Sequence, residues 1–344
     1  MGKRILFICT LVMALALQSI TVSCADNQTL MGEKIPAVIS AAETGQPDKL
    51  SQDELNKLKD QLSKEQEQLK KDQDQLKAEQ LQLNKDKDQL KKEQEQLKQE
   101  QEQLIKDREK LDAQIKRNKL TSELTSSTYM KYIKQLGYYK STSKDETLNI
   151  RNTLLLFQSD HNMNLSGTWD NATKEMLINR LVSKELTYAD KITSAPTTGK
   201  WITVNKTKRI LTLYEGTKVI KKYPVAVGNP HTLTKSGKYI IENKIINPDW
   251  GGGGFADPIK GGTPENPLGS RWMGINRTDG SYGIHGTNSF YSIGKFISHG
   301  CIRMQNYMVE ELFPLVPVKA PVWVGTQKEL KDWGVTQDEF TANN

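Results

Sequence analysis

Along this chain the spacing of hydrophobic positions changes from block to block, and each spacing predicts a different element. Ile5 to Leu17 is an apolar run behind Lys3 and Arg4. It is too short for a comfortable membrane span and leads to the small residues Ser23-Cys24-Ala25, so residues 1–25 read as a secretory signal peptide. A retained anchor and lipid attachment at Cys24 are the alternatives. Residues 26–50 are polar with scattered glycine and proline, which predicts a linker.

From 51 to 117 leucine recurs every seventh residue, from Leu55 through Leu83 to Leu111, with no glycine or proline. That period predicts a long helix with the spacing of a coiled coil. The companion seam positions, Lys59 to Arg108, are Gln, Lys or Arg, and only Ile115 is apolar there. The seam is half built. A coiled-coil stalk that makes a homo-oligomer and a lone solvated helix both fit it. Its 16 basic and 17 acidic side chains nearly cancel, which favours side-chain pairs along the helix.

Residues 121–192 return to short helical periods. Tyr129, Ile133 and Leu136 predict a helix closed by Gly137; Asn149 to Gln158 and Ala172 to Leu181 predict two more. His161 falls in the turn after the second and reads as an ordinary exposed histidine. Residues 193–200 read as a linker. From Trp201 alternation predicts strands at 202–204, 209–214, 219–227 and 238–246, with a last strand at 315–324. The stretch from Gly251 to Gly269 is rich in Gly and Pro and too long for a simple connection, so it reads as a lid over a cleft. Residues 327–344 read as a polar tail. The fold class expected is therefore multidomain: a long α-helical or coiled-coil stalk, a small three-helix domain, then a mainly β, sandwich-like domain at 201–326.

Charge adds a partner class. The net charge is +7, and residues 200–344 hold 18 basic against 12 acidic side chains. That favours approach to an anionic cell-wall polymer or membrane surface. No basic run interleaved with aromatics is present, so no nucleic acid is expected as a partner.

The chemistry gathers near the C-terminal end. Removal of a signal after Ala25 takes Cys9 and Cys24 with it and leaves Cys301 as the single thiol, so no internal disulfide forms. A lone thiol in an exported protein points to reactivity rather than stapling. Cys301 stands in Ser298-His299-Gly300-Cys301-Ile302-Arg303, sixteen positions after His285 in Gly283-Ile284-His285-Gly286. A thiolate is a strong nucleophile, and a nearby imidazole takes its proton or holds it as an ion pair. Gly300 lets backbone approach a substrate, and the N–H groups of Gly300 and Cys301 suit an oxyanion. Cys301 by itself also fits an inert buried cysteine. One cysteine, two histidines, four glycines and an arginine between Gly283 and Arg303 are poor core material, however. His299 and Cys301 are too close in sequence to serve one tetrahedral zinc with His285, and no fourth ligand is near. No metal and no cofactor is expected.

These segments resemble the signature of the L,D-transpeptidases, the YkuD-type catalytic domain. The pattern is a histidine, a spacer, then Ser/Thr-His-Gly-Cys, a variable residue and Asn or Arg, and every fixed position is met. Tyr223-Pro224-Val225-Ala226-Val227-Gly228, Asn266-Pro267-Leu268-Gly269 and Tyr282-Gly283-Ile284-His285-Gly286-Thr287 also resemble family segments in the right order, over residues 200–326. Residues 121–192, with Leu136-Gly137-Tyr138-Tyr139 and Phe157-Gln158, resemble a small three-helix peptidoglycan-binding domain. Ser141 to Asp145 stands where that family has a Gly-rich turn, and a helical adaptor without a ligand remains open.

The resemblance implies an exported enzyme of the bacterial cell wall or envelope, acting on peptidoglycan stem peptides as donor and acceptor. Cys301 would attack the carbonyl of the third stem residue and release D-alanine. His285 would be the base, and Gly300 with Cys301 the oxyanion site. The thioester would pass to a neighbouring stem as a 3→3 cross-link. Ser298 and His299 would shape the loop, Arg303 would hold a substrate carboxylate, and Tyr282 and Trp272 would wall the cleft. The helical domain would supply any glycan contact. His231 and Thr234-Lys235-Ser236-Gly237, where the family often has Thr-Pro-Thr-Gly, receive no role. An exported cysteine hydrolase that trims stems and a non-catalytic wall-anchored spacer are the competing classes.

Overall fold

The computed structural model describes residues 51–183, 188–254, 256–278 and 282–341. The expected signal peptide and the linker at 26–50 lie outside the described residues.

Helix α1 runs from Gln52 to Glu123. Ser51 and Glu54 start it with a reciprocal pair: the Ser51 N–H donates to Glu54 Oε2 at 3.0 Å and the Glu54 N–H to Ser51 Oγ at 3.4 Å. Its polar side is laced at the same seven-residue interval as its leucines. Gln68, Gln75, Gln82, Gln89 and Gln103 each donate to an acid four residues on, at 2.9–3.0 Å. Such pairs contribute about 0.2–0.5 kcal/mol each. Within this chain the heptad leucines from Leu55 to Leu111 stay exposed. Up to Lys98 the described part of this unit is helix alone.

Residues 99–344 form the second unit. The end of α1 belongs to it: Leu120 and Leu124 are buried against α2 (Tyr129–Gln135), α3 (Glu146–Asp160) and α4 (Asn171–Val182) through Ile133, Leu154, Phe157 and Leu177. The three helices stand where helical periodicity predicts them. Two have side-chain caps beyond the apolar pattern, Asp145 on the Leu148 N–H and Asp170 on the Thr173 N–H.

The β part is built around a mixed sheet of eight strands in the order β10-β8-β7-β6-β11-β2-β3-β4. These are β2 (Lys200–Asn205), β3 (Ile210–Glu215), β4 (Lys218–Pro224), β6 (Gly237–Ile246), β7 (Arg271–Ile275), β8 (Tyr282–His285), β10 (Ile302–Arg303) and β11 (Pro321–Gly325). Neighbours are antiparallel except for β10 with β8 and β11 with β2. The sheet curls. Just past β4, Ala226 exchanges two 2.9 Å backbone hydrogen bonds with Arg303 of β10, joining opposite ends of the strand order. The curl encloses Val204, Leu211, Leu213, Val225, Met273, Ile284, Ile302 and Val324. A parallel pair, β5 (Val227–Gly228) with β9 (Phe296–Ser298), extends this seam, and α5 (Asn306–Leu312) follows β10.

Three expectations need correction. Residues 327–341 are folded, not a loose polar tail. Helix α6 (Gln327–Asp332) leads to β12 (Val335–Gln337), which pairs with β1 (Asp190–Ile192), and Phe340 is buried in the helical cluster. Gln337 looks like tail material because its partners are far away in sequence: Thr203, Thr212, Tyr214 and Asn205 all bond it in the interior. His161 is buried, not exposed. Its Nδ1 donates to the Phe157 carbonyl at 2.7 Å and its ring lies against Phe157 and Phe340. The strand expected at 315–324 begins only at Pro321 and is not the last.

Candidate active site

Pairing of β10 with β8 builds the site. Ile302 is opposite Ile284 and Arg303 opposite His285, so Cys301, one residue earlier, falls beside Gly283. Side chains alternate along a strand, which puts Cys301 and Arg303 on the same face as Gly283 and His285. The sixteen-residue separation thus becomes a diagonal across two adjacent strands. Gly283 cannot bear a side chain here: a Cβ would stand 2.6 Å from the Met273 carbonyl oxygen and 2.9 Å from the Trp272 ring.

His285 is 3% exposed. Its Nδ1 lies 2.6 Å from the Gly286 carbonyl. A carbonyl only accepts, so Nδ1 carries the proton and Nε2 keeps its lone pair as a proton acceptor. Trp272 stacks on the ring at 5.8 Å and 26°. Burial pushes the imidazole down to about 4, with Arg303 pushing the same way and the carbonyls of Gly286 and Leu268 resisting. Burial pushes the Cys301 thiol up, while a backbone hydrogen bond at Gly283 and the charges of Arg303 and Arg277 pull it back. Both groups therefore rest uncharged at neutral pH, rather than as a thiolate–imidazolium pair.

The loop carrying Cys301 is held by hydroxyls. Ser298 Oγ donates to the Cys301 carbonyl at 2.5 Å and accepts the Gly300 N–H at 3.3 Å. The Ser298 carbonyl takes Thr232 Oγ1 at 2.8 Å and the Asn229 N–H at 3.0 Å. Thr234 Oγ1 donates to the Gly300 carbonyl at 2.9 Å. Gly300 has φ +109°, and a Cβ there would strike the Tyr282 ring at 2.6 Å, so the turn requires glycine.

The residues expected from the sequence separate accordingly. Cys301, His285, Gly300, Ser298 and Arg303 converge on one corner. The Gly300 N–H, expected to face an oxyanion, is directed to Ser298 Oγ. His299 projects outward and is exposed. Tyr282 is half-buried and lies under Gly300, with the Arg277 guanidinium 3.4 Å over its ring. Arg303 is half-buried on the same face as Cys301.

No role follows from the sequence for Asn306, or for Asn266 within its family-like segment Asn266-Pro267-Leu268-Gly269. Asn306 Oδ1 accepts the N–H of Thr287 at 3.1 Å and of Ser270 at 3.4 Å, tying the turn after His285 to the start of β7. Asn266, 1% exposed, donates to the Pro248 carbonyl at 2.8 Å and accepts the Leu268 N–H at 2.8 Å. With paired 2.8 Å backbone bonds between Trp250 and Ile259, it gives the 247–269 connection an internal framework. Asn266 sits in a Gly/Pro-rich stretch and Asn306 opens the short helix α5, and at neither position does periodicity mark the bonds that the side chain makes.

A model of the YkuD family, the L,D-transpeptidase catalytic domain, matches residues 199–324. YqjB of Bacillus subtilis, named as a candidate L,D-transpeptidase, is 42% identical over 127 residues, which are 36% of this chain and 70% of that protein. YkuD of Bacillus subtilis, named likewise, is 40% identical over 116 residues, 34% of this chain and 60% of the relative. Among solved structures, an L,D-transpeptidase fragment from Xylanimonas cellulosilytica aligns with a TM-score of 0.39 at 17% identity, covering 52% of this chain and 80% of that one.

Proposed function

The chain belongs to the L,D-transpeptidase family, and from that premise we propose that Cys301 and His285 carry out acyl transfer between peptidoglycan stem peptides. The observation that carries this reading is the β8–β10 register, which sets the thiol and an Nδ1-protonated imidazole on one face of adjacent strands. Because both start neutral, proton transfer accompanies attack. The Cys301 sulfur bonds to the carbonyl carbon of the third stem residue, its proton passes to His285 Nε2, and the carbonyl π electrons move to oxygen. The N–H of Cys301 meets that oxyanion. Collapse breaks the C–N bond, and the departing D-alanine amine takes the proton from His285. An amine of a second stem then gives its proton to His285, attacks the thioester and restores the thiol, leaving a 3→3 cross-link. Water in place of the amine yields a tripeptide. Arg303, on the same face as the sulfur, suits a donor carboxylate. The enzyme would work outside the cytoplasmic membrane, where such stems lie.

Incubation of the mature protein with disaccharide tetrapeptide, followed by mass spectrometry, tests the reading. Cross-linked dimer is the expected product. Tripeptide alone would make the protein a hydrolase, and no reaction would leave the spacer reading. Cys301→Ala should abolish product formation while Tm stays close to that of the parent, and persisting turnover would overturn the assignment.

A further inference from the structure

Thr234 opens the segment Thr234-Lys235-Ser236-Gly237, and the reaction above leaves it unused. It is 4% exposed, in the loop between β5 and β6. Its hydroxyl makes two bonds whose directions are fixed. The Gly228 N–H, which can only donate, reaches Thr234 Oγ1 at 2.8 Å. The hydroxyl proton must then go to the Gly300 carbonyl, 2.9 Å away. That carbonyl and the N–H of Cys301 belong to one planar peptide unit, and in a trans unit they point in opposite directions. Anchoring the oxygen therefore fixes where the Cys301 N–H is aimed.

The anchor is itself held firmly. Gly228 pairs with Ser298 in the β5–β9 ladder, and a Cβ on it would come within 2.1 Å of the Thr232 carbonyl oxygen, so the loop lies directly on the strand. Thr232 and Thr234 hold the carbonyls of Ser298 and Gly300, and Ser298 Oγ holds that of Cys301. Gly300, at φ +109° with no side chain, has little stiffness of its own to keep the peptide from rotating.

We propose that Thr234 is a positioning residue: through the relay Gly228 N–H to Thr234 hydroxyl to Gly300 carbonyl, it presets the Cys301 N–H to receive the oxyanion formed on the acyl donor. The inference rests on the proposal that Cys301 is the acylated nucleophile. It adds a specific donor and the device that orients it.

The experiment compares two reactions of the same sulfur in the full-length protein. Acylation by p-nitrophenyl acetate passes through a tetrahedral oxyanion: the C–S bond forms, then p-nitrophenolate leaves. Alkylation by iodoacetamide displaces iodide at a saturated carbon and forms no oxyanion. In Thr234→Val, which keeps the shape and removes the hydroxyl, acylation should slow on the order of tenfold or more. Alkylation should stay within about twofold, since the sulfur and His285 are untouched. Thr234→Ser should restore most of the acylation rate. Parallel loss of both reactions, or loss of neither, overturns the proposal, as does failure of the serine variant to recover. D-alanine release from tetrapeptide by the parent protein is measured alongside. If it is absent while the acylation-to-alkylation ratio falls in Thr234→Val, the function reading fails and this inference stands.

Discussion

Two neutral groups, a buried imidazole and a half-buried thiol, set the behaviour of this site at the residue scale. The imidazole of His285 is held to about 4 by burial and by Arg303. An imidazole normally titrates near about 6.5. A depressed folded value means that the neutral ring is favoured, so the stability it contributes is present above about 6.5 and is lost as pH falls toward 4. The same shift keeps Nε2 a proton acceptor well into the acid range. The dependence of kcat/KM on pH should therefore show an acid limb near about 4 and no inflection near about 6.5. A limb at 6.5 in a stopped or coupled assay would mean that the ring is more hydrated than its burial implies. The elevated thiol contributes no acid limb in that window, because it starts protonated and passes its proton during attack.

Asn306 matters at the scale of elements because one amide side chain fastens two of them. Gly269 and Gly286 make room for it; a Cβ on either would lie 2.1 Å from Asn306 Oδ1. Replacement by alanine leaves the N–H groups of Thr287 and Ser270 without that acceptor, at a cost of about 1–3 kcal/mol. Asn306→Ala should lower both Tm and kcat, the latter by about tenfold as His285 loses its fixed turn, whereas Asn306→Asp, which keeps the acceptor oxygen, should lose less. Calorimetry and steady-state kinetics on the pair check this. The C-terminal segment acts similarly for the helices. Phe340 is 5% exposed and packs on the His161 ring, with 5.3 Å between ring centroids. Phe340→Ala should cost about 3 kcal/mol in denaturant unfolding. A variant as stable as the parent would return residues 338–341 to the status of a tail.

Residues 99–344 behave as one piece because polar groups knot the helices, the sheet and the C-terminal strand together. Lys222 of β4 is fully buried, with Nζ 2.7 Å from both carboxylate oxygens of Asp190 in β1. Asp190 also accepts from Tyr214 at 2.5 Å and from Asn162, after α3, at 2.8 Å. Lys208 reaches the carbonyls of Asn162 and Gln337. Such a network is not strong evidence of net stabilisation, but removing one charge leaves the other stranded in the interior. Asp190→Ala should destabilise this unit by about 3–5 kcal/mol, and the double variant Asp190→Ala with Lys222→Met should regain much of that in the same unfolding experiment.

How much of this was legible in the residues follows from the range of the interactions. Helix α1 was plain, because a seven-residue leucine period without glycine or proline is a local statement. So were α2 to α4 and the first strands of the sheet. His285 and Cys301 stood out through their residue types and through the family signature around them. Strands β7 to β10 did not, being short, with their hydrogen bonds supplied by distant neighbours. Gln337 and His161 misled because what buries them is distant in sequence: the partners of Gln337 lie more than a hundred positions away, and His161, bonded locally to Phe157, is covered by Phe340 from the other end of the unit. The amino-acid sequence alone determined the long helix, the three short helices after it, the first strands of the sheet and the chemical groups, since periodicity and functional type are carried by residues close together. Only the tertiary structure decided that the sheet curls, that a buried imidazole lies diagonal to a half-buried thiol, and that Thr234 faces the Gly300 carbonyl. Those depend on strand register and burial, which are properties of the whole packed chain.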